Sequence, residues 1–178
     1  MVGRLLRAGC IALGLWLGGA VHAAPPQRVV SMNLCTDQLA MLLAAPGQLV
    51  SVSYLAQDPQ ASTMVEQALA YPANHGLAEE IYRLRPDLVL AGAYTTRATV
   101  AMLQRLGVPV AIFPPEADFD GIRGNLRRMG ELLGREAEAE AQIAAFDQGL
   151  AALMDTPVQR PTAALYYANS YTSGRDSL

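Results

Sequence analysis

The sequence predicts an α/β fold: a Rossmann-like, mostly parallel sheet with flanking helices, a long helix, and the first strand of a second α/β lobe. Three observations support this fold class. Short β-branched runs alternate with helical patterns from residue 28 to residue 133. The hydrophobic run at 87–91 lacks polar alternation, which favours a strand buried on both faces. A single apolar stripe then extends from Arg135 to Asp155.

The predicted sheet begins after Pro25-Pro26 with the run Arg28 to Met32. Thr36 is expected to cap the next helix, and Asp37 suits its first turn because the positive end of the helix dipole lies there. That helix stops before Pro46-Gly47. The later strands are predicted at 49–53, 87–91 and 108–113, and the later helices near 63–69, 77–84, 96–106 and 122–133.

Glycine and proline mark the breaks between these elements. A polar loop with Asp58-Pro59 precedes the helix near 63–69, and the turn Asn74-His75-Gly76 precedes the next helix. Pro86 ends that next helix, because the residue before a proline avoids helical backbone. Gly107 closes the helix that begins near Thr96. The connections between parallel strands should then be right-handed.

The pattern changes after residue 134, where one long helix is predicted. Glu136, Glu138 and Glu140 favour its N-terminal end through the helix dipole. Pro157 and Pro161 end it, and a strand is predicted from 162 to 168. Because the chain stops soon after this strand, we expect it to be truncated at the opening of a second lobe. The apolar stripe of the long helix comprises Ala139, Ile143, Phe146, Leu150 and Leu153.

Residues 1–23 have the layout of a secretory signal peptide. Arg4 and Arg7 give a positive start, and Ala8 to Val21 is an uncharged, mostly apolar run. The small residue Ala23 predicts cleavage after residue 23 or 24, and therefore a periplasmic protein. A membrane anchor is disfavoured, because a span needs about 20 apolar residues. A lipid attachment at Cys10 is also disfavoured, because the apolar stretch follows this cysteine instead of preceding it.

The composition excludes several kinds of site. All 13 basic residues are arginine, which excludes a P-loop lysine and a Schiff-base lysine. Outside the leader, His75 and Cys35 are the only histidine and cysteine, so no metal site built from these residue types is expected. Cys35 is expected to be a small buried hydrophobe. A net charge of −3 without a basic run argues against nucleic-acid binding.

Four segments carry a family resemblance. Asn74 to Leu90 is similar to the motif E-x-(I/L)-x-x-L-x-P-D-L-(V/I), in which Glu79 is the first residue, and Leu106 to Val110 matches LG(I/V)PV. The opening strand and helix, Arg28 to Asp37, and the segment Tyr171 to Arg175 complete the set. In this order the segments resemble class III periplasmic substrate-binding proteins, the iron-siderophore and cobalamin family.

The resemblance implies a division of the chain and a set of partners. Residues 1–23 would be the signal peptide, 24–134 an N-terminal α/β lobe, 135–156 the connecting helix, and 157–178 the start of a truncated C-terminal lobe. Such a protein has no catalytic activity and no cofactor. It captures a metal chelate between two lobes and delivers it to an ABC permease dimer with its ATPase subunits, meeting the membrane only through that transporter. Glu79 aligns with a glutamate that docks on permease arginines.

Ligand is expected at the carboxyl ends of the strands, as in other open parallel sheets. Tyr54, Tyr94 and Tyr171 are the candidate stacking residues, because the only tryptophan lies in the leader. Arg97 begins a helix there and suits an anionic chelate. Asn33 either binds ligand or caps a turn. His75 is interpreted as a turn residue, since a lone histidine makes no metal site.

Two other classes of function stay open at this point. One is a periplasmic α/β enzyme, a hydrolase or a reductase, although the chain after residue 23 has neither G-x-S-x-G nor G-x-G-x-x-G. The other is the ligand-sensing domain of a signalling protein. Within the main hypothesis, nothing in these motifs separates hydroxamate, catecholate, haem and cobalamin as the ligand.

Overall fold

A computed structural model describes residues 24–154 of the chain. The strands are β1 Val29–Ser31, β2 Leu49–Ser53, β3 Ala73–Asn74, β4 Leu88–Gly92 and β5 Val110–Phe113. The helices are α1 Leu34–Leu43, α2 Val65–Ala68, α3 Ala78–Arg83, α4 Arg97–Arg105, α5 Phe119–Leu133 and α6 Glu136–Met154, with a 3-10 turn at Tyr54–Gln57. The predicted signal peptide, the strand at 162–168 and the segment around Tyr171 lie outside the described residues.

The five strands form one sheet in the order β3-β2-β1-β4-β5, and every neighbouring pair is parallel. In the central strand, Val29 lies opposite Leu49 on one side and Leu88 on the other. This topology confirms the predicted α/β class with a mostly parallel sheet. β3 was not predicted, because its two residues, Ala73 and Asn74, are too short for a periodic pattern and precede a glycine turn.

Each face of the sheet carries its own hydrophobic core. Val29 and Leu90 face a core completed by α1, α5 and α6, whereas Val30 and Val89 face a core completed by α3 and α4. Leu88, Val89, Leu90 and Ala91 are all buried. The strand at 88–92 is therefore covered on both faces, as its unbroken apolar run predicts.

Two helix starts differ from the sequence-based expectation because of side-chain caps. Asn33, not Thr36, is the N-cap of α1, and its Oδ1 accepts a hydrogen bond from Cys35 N at 3.0 Å. Thr36 is buried in the first turn, where its hydroxyl lies 2.7 Å from that of Ser31. Helix α5 begins three residues before the expected Ile122, because Asp118 Oδ1 accepts from Gly121 N at 2.7 Å.

Helix α6 packs along α5. Gly134 ends α5 in the left-handed region at φ 67, which permits the sharp turn into α6. Ion pairs join Arg123 to Asp147 and Arg127 to Glu140, at 2.6 Å each. The predicted apolar stripe is buried only at its beginning: Ala139 and Ile143 are buried, Phe146 and Leu150 are half-buried, and Leu153 is 71% exposed.

No helix within residues 24–154 is long and apolar enough to cross a membrane.

Candidate functional site

The carboxyl edge of the sheet contains a topological switch point. The chain leaving β1 passes through α1 to β2 on one side, whereas the chain leaving β4 passes through α4 to β5 on the other. The two connections diverge and leave a crevice beyond β1 and β4. Open α/β sheets bind ligands at such a crevice.

A pocket of about 150 Å³ occupies this crevice. Three strand ends supply its walls: the residues after β1, after β4 and after β5. Gly92 brings β4 close to Asn33, because a Cβ at this position would lie 2.8 Å from Asn33 Cγ. The side chain of Asn33 is thereby held between Gly92 and its cap bond to Cys35 N. The lining residues are Asn33, Cys35, Gly92, Ala93, Tyr94, Phe113, Pro114, Pro115 and Glu116.

Cys35 is exposed at this pocket, so the expectation of a buried hydrophobe is wrong. It is the second residue of α1, and its exposed side chain lies away from the core that Ala40 and Leu43 enter. Partial burial raises the pKa of its thiol, and the nearby charges of Glu116 and Asp37 raise that pKa further. The thiol therefore stays protonated, which makes it a weak nucleophile and a weak metal ligand.

Glu116 places a carboxylate in the pocket wall, and the sequence alone did not single it out. Asn125 Nδ2 donates to Glu116 Oε1 at 2.7 Å and to Pro114 O at 3.2 Å. These bonds tie the loop after β5 to helix α5. The signal for this contact is the buried asparagine in the amphipathic helix α5, which is an unusual residue for an apolar face.

Asp37 stabilises the end of β2 from inside the protein. It is fully buried, and its carboxylate accepts from Ser53 N at 3.1 Å and from Ser53 Oγ at 2.5 Å. Burial raises the pKa of this carboxyl, while hydrogen bonds from Ser31 and Ser53 act in the opposite direction. Its role is to fix the point at which the chain leaves the sheet toward Tyr54.

Asn74 fixes the end of β3 in a similar way. It is fully buried, and its Nδ2 donates to Ser31 O at 2.8 Å, to Ser51 Oγ at 2.9 Å and to Val52 O at 2.8 Å. Its Oδ1 accepts from Gly76 N at 3.2 Å, and Gly76 has φ +70. The next residue, His75, is therefore held in a defined place at the same edge.

His75 and Tyr54 form a stacked pair at the ends of neighbouring strands. Their ring centroids lie 5.4 Å apart with an interplanar angle of 20°. Glu80 contacts His75 twice: its Oε2 accepts from His75 N at 2.8 Å, and its Oε1 lies 3.3 Å from Nδ1. Sequence reasoning placed Tyr54 correctly at this edge but missed its partner, because the two residues are 21 positions apart.

The other predicted site residues occupy the same edge with fewer contacts. Tyr94 follows β4 and is 88% exposed, and Arg97 is exposed at the first position of α4. Glu79 is exposed in the first turn of α3, just after β3. Asn33 and Tyr94 share the pocket, whereas Tyr54 joins His75 instead. Tyr171 lies outside the described residues, so its role stays a prediction.

Two further observations limit the choice of site. Residues 24–154 contain no cluster of three or more histidine, cysteine or acidic side chains that could hold a metal ion. A larger hollow of about 560 Å³ is lined by Tyr82, Arg83, Arg85, Pro86 and Val108. It opens at the amino edge of the sheet, where β4 and β5 begin, so the switch-point rule does not point to it.

An open parallel sheet with aromatic and polar side chains beyond its carboxyl edge defines an α/β ligand-binding lobe. Residues 29–175 match the sequence profile of the family described as Periplasmic binding protein. The chain belongs to this family, and the resemblance to its class III members is confirmed. The proteins of this family and the relatives described next are binding proteins.

The relatives found by sequence are described as cobalamin-binding or vitamin B12-binding proteins. The cobalamin-binding protein of Halobacterium salinarum is 31% identical over 157 residues, which is 84% of this chain and 42% of that protein. The vitamin B12-binding protein of Pectobacterium carotovorum subsp. carotovorum is 26% identical over 162 residues, which is 90% of this chain and 57% of that protein. The chain thus spans about half the length of the curated relatives it matches.

Solved structures share the fold. A periplasmic heme binding protein from Pseudomonas aeruginosa matches with a TM-score of 0.62 and 27% identity, covering 73% of this chain and 46% of that one. The periplasmic vitamin B12 binding protein of Vibrio cholerae matches with a TM-score of 0.59 and 25% identity, covering 72% of this chain and 50% of that one.

Proposed function

We propose that this chain belongs to the substrate-binding component of an ABC transporter, which captures a metal chelate and delivers it to the permease. The chelate is an iron-siderophore, a cobalamin or a haem-like compound. The observation that carries this proposal is the set of exposed side chains at the switch point of the sheet, in a chain that matches a binding-protein family over residues 29–175. The relatives described as cobalamin-, vitamin B12- and heme-binding support the chemical class.

The exposed side chains suit a large, partly flat and anionic ligand. Tyr94 and Tyr54 present aromatic faces that can pack against the apolar rim of a chelate. Arg97 offers a guanidinium at the first turn of α4, where backbone N–H groups also favour negative charge. Asn33 and Glu116 add a hydrogen-bonding amide and a carboxylate at the pocket wall.

The remaining half of the site is assigned to a second lobe. In this proposal residues 24–134 form the N-terminal lobe, residues 135–156 connect the lobes, and residues 157–178, with Tyr171, open the second lobe. Ligand then binds between the lobes, and a single-helix connection permits only modest closure. Residues 1–23 act as a signal peptide that is cleaved on export to the periplasm.

Docking on the permease is assigned to Glu79. Its exposed position in the first turn of α3 places it on the carboxyl edge, the same side of the lobe as the ligand pocket. A carboxylate on this edge can pair with a permease arginine while ligand lies beside it. Delivery of the ligand and docking of the lobe would then use one face.

Ligand titration of the protein with both lobes tests the proposal. We expect hemin, cobalamin or a ferric siderophore to bind and to quench tyrosine fluorescence without being converted. Tyr94→Ala should weaken binding roughly tenfold, the range of one lost aromatic contact. Tyr82→Ala is the matched control, because Tyr82 is also exposed but lies at the amino edge. An equal loss of ligand affinity in Tyr94→Ala and Tyr82→Ala, or chemical conversion of the ligand, would contradict the proposal.

A further inference from the structure

The side chain of His75 is exposed, and one of its two ring nitrogens has a hydrogen-bond partner. Its side chain is 65% exposed, and its Nδ1 lies 3.3 Å from Glu80 Oε1. An ionised carboxylate can only accept a hydrogen bond, so Nδ1 carries the proton. In the neutral imidazole the lone pair is then on Nε2. Within residues 24–154 no hydrogen-bond partner contacts Nε2.

The surroundings of His75 fix the ring in place. Glu80 holds both the backbone N–H and Nδ1 of His75, and Tyr54 covers one ring face at a centroid distance of 5.4 Å. Asn74 is buried with all its amide hydrogens bonded, so the backbone before His75 is also held. Ordering an exposed side chain has an entropic cost, and these contacts offset that cost and hold the ring in one orientation.

This arrangement matches the way proteins prepare histidine as a metal ligand. A ligating histidine usually donates its other ring N–H to a carboxylate, which fixes the tautomer and raises the basicity of the ligating nitrogen. Residues 24–154 hold no cluster of three or more histidine, cysteine or acidic side chains that would complete a metal site around His75. A metal bound by Nε2 can instead arrive as a chelate that brings its other ligands.

We propose that His75 Nε2 coordinates the metal of the incoming chelate, with Glu80 and Tyr54 as positioning residues. This inference rests on the proposed function and narrows its substrate class to chelates with an open or exchangeable coordination position. The nitrogen lone pair fills that position or replaces a bound water, and no electron is transferred to or from the metal. Chelates whose own donor atoms saturate the metal gain nothing from His75.

Three probes of different coordination test the inference in the protein with both lobes. Hemin and aquocobinamide have exchangeable axial positions, whereas a ferric tris-hydroxamate siderophore has none. We expect one of the first two to bind more tightly than the hydroxamate and to show a shifted absorption band that reports imidazole coordination. Tighter binding of the hydroxamate would overturn the inference and leave the proposed function intact. Absence of binding by all three probes would overturn both.

Variants of His75 and Glu80 separate coordination from packing. His75→Gly should abolish the shifted band, and free imidazole should restore it, which a structural role would not allow. Glu80→Gln should keep the band but weaken binding about 10- to 100-fold, the usual effect of losing such a carboxylate. Glu131→Gln, an exposed change on α5, should have no effect. An unchanged absorption band in His75→Gly would refute the assignment.

Discussion

Asp37 shows how a single buried carboxyl can support the candidate site. Asp37→Ala would leave the N–H and hydroxyl of Ser53 without this acceptor in a buried position, at a cost of about 1–3 kcal/mol for each group. Asp37→Asn keeps one acceptor oxygen and should cost less. Urea unfolding of both variants measures the difference, and equal stabilities for Asp37→Ala and the unmodified chain would contradict this role.

The same carboxyl predicts a pH dependence of stability. Burial raises the pKa of Asp37 above its ordinary value of 3.8, so the folded state binds this proton more tightly than the unfolded state. The stabilisation that this tighter proton binding gives the folded state is complete below pH 3.8. It is lost as the pH rises through the pKa of Asp37 in the folded state. We therefore expect the stability of Asp37→Asn, relative to the unmodified chain, to improve over that range. A constant difference across the range would contradict the direction of the pKa change.

Gly92 lets the side chain of Asn33 lie against β4 because it has no side chain of its own. In Gly92→Ala the new Cβ would meet the amide of Asn33 at 2.8 Å, and Asn33 would rotate and lose its cap bond to Cys35 N. We expect a loss of about 1 kcal/mol, the value of one helix cap. Adding Asn33→Ala to Gly92→Ala should cost little more, because the cap is already lost. Additive losses in a thermal unfolding cycle would show that the two residues do not interact.

Residue-scale predictions from sequence succeeded where the cause is local. The position of Tyr94 just after a strand follows from neighbouring residues, whereas the cap of α1 was predicted at Thr36 and is Asn33. The exposure of Cys35 and the stack of Tyr54 on His75 do not follow from neighbouring residues, because they depend on how distant segments meet. Local pattern places His75 between two elements, and it lies in the connection between β3 and α3. Only the fold brings Glu80 and Tyr54 to its ring.

At the scale of elements, α5 and α6 pack closely at one glycine. A Cβ on Gly130 would lie 2.6 Å from Ala139 Cβ and 3.1 Å from Arg135 O, and backbone cannot rotate away as a side chain can. Gly130→Ala should therefore displace α6 and cost about 1–3 kcal/mol. Gly124→Ala is the matched control on the same helix, because its Cβ meets nothing within 4 Å. It should gain up to about 1 kcal/mol from helix propensity. Denaturant unfolding that ranked the two variants in the opposite order would rule out this close packing.

The length of an element decides how well the sequence predicts it. The run at 88–92 and the helix at 119–133 have enough residues to show a period, and both were predicted within a few positions. β3 has two residues and α2 has four, so periodicity says little about them. β3 is held by the side chain of Asn74, whose bonds to Ser31 and Val52 cross between strands and leave no local pattern.

At the scale of the whole molecule, one edge of the sheet carries both proposed activities. Parallel strands place all their carboxyl ends on one side, so Tyr94 after β4 and Glu79 after β3 share a face although they differ in role. The rule that ligands bind at this edge locates the candidate site from sequence, and that location stays a prediction. It did not predict which side chains would meet there, because strand order had to be known first.

The shared face gives a test that separates docking from ligand binding. Glu79→Ala should leave chelate affinity unchanged and weaken association with the transporter by about 1 kcal/mol, as for an exposed ion pair. The loss should be larger at low salt, because salt screens such pairs. Glu66→Ala, another exposed acid, on α2, is the matched control. Tyr94→Ala should show the converse, with weaker chelate binding and intact docking.

Glu79→Ala and Tyr94→Ala are each measured in two assays: ligand titration, and binding to the reconstituted permease complex at two salt concentrations. Because Glu79 is exposed in a first helical turn and has no described partner within residues 24–154, its removal should not disturb the lobe. Loss of chelate binding in a folded Glu79→Ala protein would place this residue in the ligand site instead. Unchanged docking of Glu79→Ala at low salt, in a protein that still binds chelate, would remove the docking assignment and leave the ligand-binding edge as the only function of this face.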